Sequence, residues 1–409
     1  MIRVKPAKLA FILLFLAVTG FFMGGCSPAE NYTKTEFLMD TKVDLVLYDL
    51  PDKQADHVAG EIFSEMKRME SVLDKHTPGS DVYRINAAAG RAPVKVQPET
   101  MVVMQKALEI AALSGGAFDP TVGPLLELWG WDAGAPRVPE DWEIEAVLPF
   151  VDYKLVEVDV GNSTIFLPSP DMKIDLGGIA KGFIVDRGQT LAKKLTSGAS
   201  YINAGGDINI IGRKPSGEKW RIAIQDPQNP QEWAAIVPLK EGSVATSGDY
   251  QRFFEEAGET YHHLLDPQTG MPAGGDVRSV TVVAPEAMTA DALATAVFVL
   301  GRESGLQLLE NLENTAGAVI DPEGKVHVSS GLAAEIEILS SPKSAYSEGG
   351  SSYVASTCWC KLELQRNEAV FSKNNTATGK QSSKLGVGVG RTRGVTISAG
   401  GNFHVSSSG

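Results

Sequence analysis

The sequence contains only three cysteines, Cys26, Cys358 and Cys360, and a single residue separates the last two. This number and spacing exclude a disulfide framework of the kind that stabilises small secreted domains. Neither CxxC nor HExxH occurs, there is no Ser-His-Asp spacing, and no GxGxxG is present. The common signatures of zinc sites, hydrolases and dinucleotide-binding folds are therefore absent, and function has to be inferred from weaker clusters of residues.

Positive charge is also scarce, since 37 Lys and Arg stand against 50 Asp and Glu, giving a formal net charge of −13. This balance argues against nucleic acid as the main partner. Hydrophobic residues make up 43% of the 409 residues and charged residues 21%. A chain of this length and composition is expected to fold around a substantial core, as one large domain or two ordinary ones.

The first 25 residues have the pattern of a targeting signal. Arg3, Lys5 and Lys8 precede an apolar run that is short for a membrane span, and small residues lead to Cys26. The segment resembles a bacterial lipoprotein signal, with Cys26 as the lipidated residue. An uncleaved membrane anchor and a plain secretory signal remain alternatives. All three readings predict an extracytoplasmic protein, and lipid on Cys26 would make it a membrane-anchored lipoprotein.

Hydrophobic periodicity predicts both strands and helices. Alternating apolar residues indicate a strand over 41–50, and residues 157–167 have the pattern of a hairpin. Helical spacing over 56–76 involves five apolar residues, namely Val58, Ile62, Met66, Met69 and Leu73. Further helices are predicted from Thr100 to Leu113 and, as the last one, from near Asp291. The irregular mixture favours an α+β fold with mixed sheets and flanking helices.

Composition divides the chain into four parts. The signal (1–25) is followed by a polar linker (26–34) and a folded domain (35–340). The remaining segment, 341–409, is rich in Ser and Gly and carries eight Lys and Arg against three Asp and Glu, a net charge of 8 − 3 = +5. This composition favours a flexible tail, in which the stretch YVASTCWCKLEL could add a strand or two.

The stretch KIDLGGIAKGFIVD places Asp175, a Gly-Gly pair and Lys181 at the start of a predicted helix. Glycines at this point allow a ligand to approach the backbone, and free N–H groups attract phosphate oxygens. Lys181 adds a positive charge, and Asp175 offers an acceptor for a ring N–H or a ribose hydroxyl. A structural turn followed by a surface lysine explains the pattern equally well.

The stretch HHLLDPQTGMPA contains His262 and His263 directly before an apolar pair and an Asp-Pro turn. A histidine here could act as a general base, because its pKa lies near neutral pH. Surface or core positions are the alternative for either ring.

In MTADALATAV, Asp291 and Thr295 are four residues apart and would share one helical face. A carboxylate and a hydroxyl on one face suit a hard cation such as Mg²⁺. The alternative is that Asp291 only complements the helix dipole.

Residues 115–131, GGAFDPTVGPLLELWGW, bring Phe118 and tryptophans together. These aromatic side chains could form the wall of a ligand pocket, or they could equally belong to the core.

These clusters, in this order, resemble the FAD:protein FMN transferases, the ApbE family. The matching pieces are FLMDTKVDLVLY, SDVYRIN, GAFDPTVGPL, KIDLGGIAKGFIVD, YINAGGDI, VATSGDYQRFF, YHHLLDPQTGMPA and TADALATAVFVLG. Each piece alone is weak, but eight in series make a specific match over about residues 35–330.

The resemblance implies an α+β fold in which FAD lies between two lobes of one domain. It implies a Mg²⁺-dependent transfer of FMN from FAD to a Thr or Ser hydroxyl of an acceptor protein, through a phosphodiester bond, with release of AMP. Acceptors would be subunits of redox-driven membrane pumps and related electron-transfer proteins.

Carried over by position, the resemblance also assigns site residues. Mg²⁺ would be bound by the Gly178 carbonyl, the Asp291 carboxylate and the Thr295 hydroxyl, and His263 would be the general base. The FAD contacts would be Met39, Ala117, Phe118, Asp119, Asp175, Lys181 and Leu265. His76 stands where the family usually has an aromatic residue, which leaves its stacking role open.

Two other functions are compatible with the same residues. An FAD pyrophosphatase would use water in place of the acceptor hydroxyl and release FMN and AMP. A non-catalytic flavin-binding lipoprotein would bind FAD without turnover, with Asp291 and Thr295 merely at the start of a helix.

The tail contains FSKNNTATG, residues 371–379, a loose match to the acceptor motif of the family. That motif runs Asp or Ser, two variable residues, Ser or Thr, a small residue, Ala or Ser, then Thr. Asn375 occupies the Ser/Thr position, so self-modification at Thr378 is not expected. Truncation near Ser340 is expected to preserve FAD binding and transfer.

Overall fold

The computed structural model describes residues 31–132, 134–344 and 354–356, which belong to one compact unit, Met1–Lys361. Nine α-helices lie in the described part: α1 Asp52–Leu73, α2 Asp81–Ala88, α3 Pro98–Leu113, α4 Gly123–Leu128, α5 Asp141–Val147, α6 Ala180–Leu195, α7 Ala287–Leu300, α8 Arg302–Glu310 and α9 Ser330–Ala333. None of these helices combines the length and apolar character needed to cross a membrane.

Seventeen strands accompany the helices in the described part of the chain. They are β1 Asn31–Leu38, β2 Thr41–Tyr48, β3 Val94–Lys95, β4 Glu157–Asp159, β5 Thr164–Phe166, β6 Ser200–Ala204, β7 Asp207–Ile211, β8 Trp220–Gln225, β9 Glu232–Leu239, β10 Gly242–Gly248, β11 Phe253–Glu256, β12 Glu259–His262, β13 Ser279–Ala284, β14 Ala316–Ile320, β15 Val326–Val328, β16 Glu337–Ser344 and β17 Val354–Ser356.

An eight-stranded antiparallel sheet organises the fold, in the order β1-β2-β6-β7-β10-β13-β14-β15. On β2 the alternating residues Val43, Leu45 and Leu47 all point to one buried face, as their period of two predicts. Helices α1, α6 and α7 cover this face. The five apolar residues predicted at helical spacing are all buried on α1, which confirms that helix.

The opposite face of the large sheet packs against a second sheet of order β16-β9-β8-β17. Ile208 and Ile210 of β7 meet Trp220 and Ile222 of β8 in a closed apolar layer. Two smaller sheets, β3-β5-β4 and β11-β12, complete the fold, and Ile165 of β5 is buried in the core on the helix-covered side. The α+β class is therefore confirmed, and the predicted hairpin at 157–167 corresponds to β4 and β5.

A third cluster of buried residues surrounds Trp129, which is fully buried and donates its indole N–H to the Gly270 carbonyl over 2.8 Å. Leu125, Ile144 and Leu265 pack around it. Gly270 has a positive φ of 72°, and a β-carbon there would lie 2.5 Å from Ile144. This hydrogen bond connects the Asp-Pro turn predicted after the two histidines with residues 115–131, the segment predicted to form an aromatic pocket.

Two predictions about helix and domain boundaries need correction. Helix α7 begins at Ala287, four residues before Asp291, and is followed by α8 and α9, so it is not the last helix. Strand β16 pairs with β9 up to Ser344, and β17 pairs in parallel with β8. The boundary predicted at 340 falls inside β16, because Ser-rich composition does not prevent a short strand whose hydrogen bonds come from the backbone. Cys26, Thr378 and most of the predicted tail lie outside the described residues.

Candidate active site

The Gly-Gly loop and the first turns of α6 and α7 meet at one point. A β-carbon on Gly182 would lie 2.3 Å from the Ala287 carbonyl oxygen, so only glycine allows this approach of the two helices. The Gly182 N–H donates to Asp291 Oδ2 over 3.0 Å. The crossing therefore brings the predicted carboxylate ligand onto the N-terminus of the helix that follows the Gly-Gly pair.

Asp291 is 6% exposed, and the Gly182 N–H is the sole hydrogen-bond partner of its carboxylate within the described residues. Burial raises the pKa of its carboxyl, while the charge of Lys181 and the Gly182 N–H act in the opposite direction. A nearly buried carboxylate with one hydrogen bond has unused acceptor capacity, which is the property expected of a cation ligand.

Gly178 and Thr295 are neighbours across the same crossing. A β-carbon on Gly178 would lie 3.4 Å from Thr295 Oγ1 and 3.3 Å from Cε2 of Phe118. The Thr295 hydroxyl also lies 3.3 Å from Ser247 Oγ on β10. The structure thus brings together Gly178, Thr295 and Phe118, three residues that lie far apart in the sequence.

The oxygen atoms of this corner fit the predicted cation. Carboxylate, hydroxyl and carbonyl oxygens are the hard donors that Mg²⁺ prefers, and Mg²⁺ sites commonly use only one or two carboxylates together with substrate phosphates. No group of three or more His, Cys, Asp or Glu side chains is placed to hold a metal within the described residues. The oxygen donors beside Asp291 fit a hard cation such as Mg²⁺.

Lys181 forms an ion pair with Asp207 at the start of β7, a residue that is 1% exposed. The pair holds the Lys181 ammonium beside the first turn of α6. Its positive charge acts on both the Asp291 carboxyl and the His263 ring. The lysine, the carboxylate and the histidine therefore belong to one electrostatic environment.

Asp175 anchors the loop that leads into α6. Its Oδ1 accepts the Gly177 N–H over 2.6 Å, and its Oδ2 lies 2.5 Å from Lys75 Nζ. Lys75 also donates to Asp132 Oδ1 over 2.5 Å. Burial alone would lower the pKa of Lys75, but the charges of Asp175 and Asp132 outweigh it and raise that pKa overall. Lys75 thus joins the Gly-Gly loop to the turn after Trp131.

His263 follows β12 and is half-buried. Its backbone N–H donates to the Arg252 carbonyl over 3.2 Å, its Nδ1 lies 3.2 Å from the same oxygen, and its ring meets Trp131 edge to face. Burial lowers the pKa of His263 below its ordinary value, and the positive charge of Arg252 acts in the same direction. The ring is accordingly neutral at neutral pH, and its Nε2 is free of hydrogen bonds within the described residues.

His262 occupies a different environment from its neighbour. It is 9% exposed, its ring packs edge to face on Phe298 of α7, and its Nδ1 is buried without a hydrogen-bond partner in the described part of the chain. Burial lowers the pKa of His262 as well. The two histidines thus point to opposite sides, and His262 belongs to the core contact with α7.

Three of the predicted FAD contacts lie together at the end of α3. Ala117 and Phe118 are each 5% exposed. Asp119 is also buried and accepts from the Thr121 N–H, the Thr121 hydroxyl and the Tyr153 N–H at 2.6–2.9 Å. Burial raises the pKa of Asp119, and these bonds act against it. The hydrogen bonds of Asp119 stabilise the loop after α3. The Phe118 ring lies beside Gly178.

The remaining predicted contacts are spread over the surrounding segments. Met39 lies in the two-residue turn between β1 and β2 at a positive φ of 53°, and its N–H donates to Glu70 Oε1 over 2.6 Å. His76 is exposed. Leu265 is buried in the cluster around Trp129. A positive φ is uncommon for methionine and marks the Met39 turn as conformationally restrained.

Three residues at the site were not predicted from the sequence, namely Lys75, Asp186 and Asp207. Asp186 and Asp207 lie inside or next to stretches already singled out, since Asp186 ends KIDLGGIAKGFIVD and Asp207 follows a Gly-Gly pair. Their partners come from other elements, so no local spacing indicates them. Lys75 lies directly before His76, the position where the family pattern is broken.

Comparison with known proteins gives a consistent result. The ApbE family model matches residues 39–320. An FAD:protein FMN transferase from Treponema pallidum is 34% identical over 331 residues, which cover 77% of this chain and 91% of that protein. Another from Klebsiella pneumoniae is 32% identical over 289 residues, covering 70% of this chain and 88% of the relative.

Solved structures agree with these sequence matches. The crystal structure of an ApbE protein from Thermotoga maritima is similar with a TM-score of 0.70 at 36% identity, covering 75% of this chain and 99% of that one. The flavin transferase ApbE from Vibrio cholerae gives a TM-score of 0.67 at 30% identity, covering 75% of this chain and all (100%) of the other.

Proposed function

The chain belongs to the ApbE family, and we propose on that basis that it is an FAD:protein FMN transferase. The reaction would attach FMN through a phosphodiester bond to a Thr or Ser hydroxyl of an acceptor protein, with release of AMP. One observation carries the proposal, namely the helix crossing that sets the nearly buried Asp291 beside Gly182, with Thr295 next to Gly178. A phosphate-binding loop and a hard-cation site at one point are what cleavage of a pyrophosphate requires.

Asp291, Thr295 and the Gly178 carbonyl would hold Mg²⁺. When bound, the ion would neutralise charge on the pyrophosphate oxygens and polarise the reacting phosphorus. The protein contributes the fixed crossing of α6 and α7, which keeps carboxylate and hydroxyl in place before substrate arrives. Pre-organised charge of this kind costs no reorganisation during the reaction.

Lys181 would contact a nonbridging phosphate oxygen. The Lys181 ammonium has three N–H donors. Its ion pair with the buried Asp207 holds the group in place and uses one of them, so two remain available for phosphate. FAD would lie against Phe118 and the Gly-Gly loop, with Asp175 as an acceptor toward the substrate. Because Asp175 already binds Lys75 and Gly177, its carboxylate position is fixed in advance.

His263 would accept the proton of the acceptor hydroxyl. The contact of Nδ1 with the Arg252 carbonyl indicates that the proton of the neutral ring resides on Nδ1, which leaves Nε2 as the base. The lowered pKa keeps the ring unprotonated at neutral pH. A neutral hydroxyl has a high pKa, so a base positioned beside it assists attack on phosphorus.

The test is an incubation of purified protein with FAD, Mg²⁺ and an acceptor domain that carries the motif described for the family. Intact-mass spectrometry of the acceptor should show the addition of one FMN group, together with AMP in solution. A parallel incubation without acceptor measures free FMN. Release of FMN at the same rate with and without acceptor, and no modified acceptor, would replace the transferase proposal with an FAD pyrophosphatase.

We propose further that the protein is a membrane-anchored lipoprotein outside the cytoplasm, acting on acceptors such as subunits of redox-driven membrane pumps. The signal-like segment before Cys26 supports this proposal. Detergent phase partitioning of wild type and Cys26→Ala, expressed in a bacterium, tests it. Wild type should enter the detergent phase and the variant should not; equal partitioning of both proteins would contradict lipidation at Cys26.

A further inference from the structure

Helices α6 and α7 cap each other at their N-termini. The first N–H groups of any α-helix lack partners within the helix. In α6 the Gly182 N–H donates to Asp291 of α7 over 3.0 Å. In α7 the Ala287 and Met288 N–H groups donate to the two carboxylate oxygens of Asp186 on α6, over 2.8 and 2.9 Å. Neither helix is capped by the side chain of its own N-cap residue.

The two contacts have matching spacing. Gly182 and Asp186 are one turn apart on α6, and Ala287 and Asp291 are one turn apart on α7, so each pair lies on one helical face. Gly182 meets Asp291 while Asp186 meets Ala287, so the first turns run past each other in opposite directions. Because a β-carbon on Gly182 would lie 2.3 Å from the Ala287 oxygen, the crossing has no free space in which to slide.

We propose that Asp186 is a positioning residue for Asp291, fixing where α7 begins and thereby where the metal-binding carboxylate lies. The inference rests on the proposed function, because it concerns the cation site. The Asp291 side chain makes one hydrogen bond within the described residues, so its position depends on the backbone of α7. That backbone is held at its first two N–H groups by Asp186.

Asp186 is itself held by the large sheet. The Asn209 amide of β7 donates to Asp186 Oδ1 over 2.6 Å, and the Gln189 side chain of α6 donates to the Asn209 carbonyl over 2.6 Å. A continuous set of hydrogen bonds thus leads from β7 through Asp186 to the start of α7. Asp186 therefore links the large sheet to the start of α7.

A carboxylate is needed at this position because two successive N–H donors must each find an oxygen. Asn offers one oxygen and one NH₂ group, so Asp186→Asn would place a donor against a donor. Burial raises the pKa of Asp186 to about 6, while the hydrogen bonds from Met288, Ala287 and Asn209 act in the opposite direction and favour the carboxylate.

The test compares Asp186→Asn with Glu310→Gln in the full-length protein. Glu310 of α8 accepts from the N–H and hydroxyl of Ser330 at the N-terminus of α9, so the control also removes a carboxylate cap supplied by another helix. The measurements are Mn²⁺ binding by electron paramagnetic resonance, FAD binding without metal by fluorescence, the metal concentration for half-maximal transfer, and the melting temperature.

For Asp186→Asn we expect Mn²⁺ affinity to fall roughly 10- to 100-fold, the usual range for residues that orient metal ligands, with FAD binding nearly unchanged. The half-saturating metal concentration should rise in parallel, and excess metal should recover most of the rate. Glu310→Gln should match wild type in Mn²⁺ affinity even if its melting temperature falls. Unchanged Mn²⁺ affinity in Asp186→Asn would show that Asp186 only stabilises the helix, and would overturn the inference.

Three further outcomes are also decisive. If Asp186→Asn does not fold, Asn209→Ala, which removes only the amide that holds Asp186, should show the same loss of Mn²⁺ affinity to a smaller degree; wild-type affinity in this variant would overturn the inference. If wild-type protein binds no Mn²⁺, the metal proposal fails and this inference fails with it. Weak Mn²⁺ binding to wild type with no difference in the variant contradicts the positioning role alone.

Discussion

The two faces of the eight-stranded sheet differ in what they bury. On the helix-covered side, Asp207 and Asn209 of β7 and Asp186 of α6 lie beside apolar residues, and each of these three has a partner on another element. The face covered by the second sheet is an apolar layer around Ile208, Ile210 and Trp220. Strand β7 contributes to both, because successive residues point to opposite sides. The residues proposed for the reaction therefore lie on the helix-covered side, while the other side of the strand contributes Ile208 and Ile210 to the apolar layer.

The largest effect should follow from removing the carboxylate on the helix-covered face. In Asp291→Asn the acceptor for the Gly182 N–H is kept, but the charge for the cation is lost. Transfer should fall on the order of 10⁴-fold, because metal charge stabilisation contributes several kcal/mol and each 1.4 kcal/mol is about tenfold. Acceptor flavinylation measures it, and near-normal transfer in Asp291→Asn would remove the metal assignment. Thr295→Val, which loses a neutral donor, should be milder.

The next largest effect should distinguish His263, the proposed base, from His262, which packs against α7. His263→Ala should slow transfer by roughly 10²–10⁴-fold, the range for a positioned general base, with FAD affinity little changed. His262→Ala should instead lower the melting temperature, because it empties a buried site against Phe298. Single-turnover rates and thermal melts of both variants separate the two roles. A large rate loss in His262→Ala alone would mean that the other ring faces the substrate.

Asp207 and Ile208 are consecutive residues of β7 that lie on opposite faces of the sheet, so variants of the two compare the faces directly. Asp207→Asn should reduce transfer by roughly 10²-fold through a misplaced Lys181, with little change in the free energy of unfolding. Ile208→Ala should leave kcat unchanged and lower the free energy of unfolding by about 2–5 kcal/mol, since Ile208 is fully buried in the apolar layer. Urea denaturation and transfer assays on both proteins test the separation. Equal stability losses from the two variants would contradict it.

The acid–base properties of His263 give a smaller effect. Because burial lowers its pKa in the folded protein, the folded state takes up this proton less readily than the unfolded chain. The stability contributed by this group is therefore present above the ordinary histidine pKa of 6.5 and is lost as pH falls below it. Nitrogen-15 NMR titration should place the His263 midpoint below that of the same ring in urea. A midpoint above 6.5 would contradict a buried neutral base.

The smallest effect should come from the C-terminal segment. Removal of residues 362–409 should leave FAD binding and transfer unchanged, because β17 ends at Ser356 and the compact unit ends at Lys361. Truncation after Ser340 cuts β16 and should lower the melting temperature while the site on the other face keeps its activity. Loss of FAD binding after removal of 362–409 would show that this segment contributes to the site.

The sequence predicts the parts of this molecule that depend on local patterns. Helix α1 follows from five apolar residues at helical spacing, and Asp291 and Thr295 follow from an i, i+4 pair that α7 confirms as one helix. Asp186 could not be found in this way, because the N–H groups it binds lie 101 and 102 residues further along the chain. The start of α7 at Ala287 is not predicted for the same reason, since its cap comes from another helix. The roles assigned to the site residues in metal binding, FAD binding and catalysis all stay predictions.

The alternation in β7 has a consequence for insertions and deletions. A slip of one residue would turn Ile208 and Ile210 toward the helices and drive Asp207 and Asn209 into the apolar layer. Stability and activity would then be lost together, although no side chain had been changed. The turns at Gly205 and Gly212, both with positive φ, delimit the strand at its two ends. We therefore expect the length of this strand to tolerate less variation than the identity of most of its residues, with loops beyond Gly212 absorbing insertions instead.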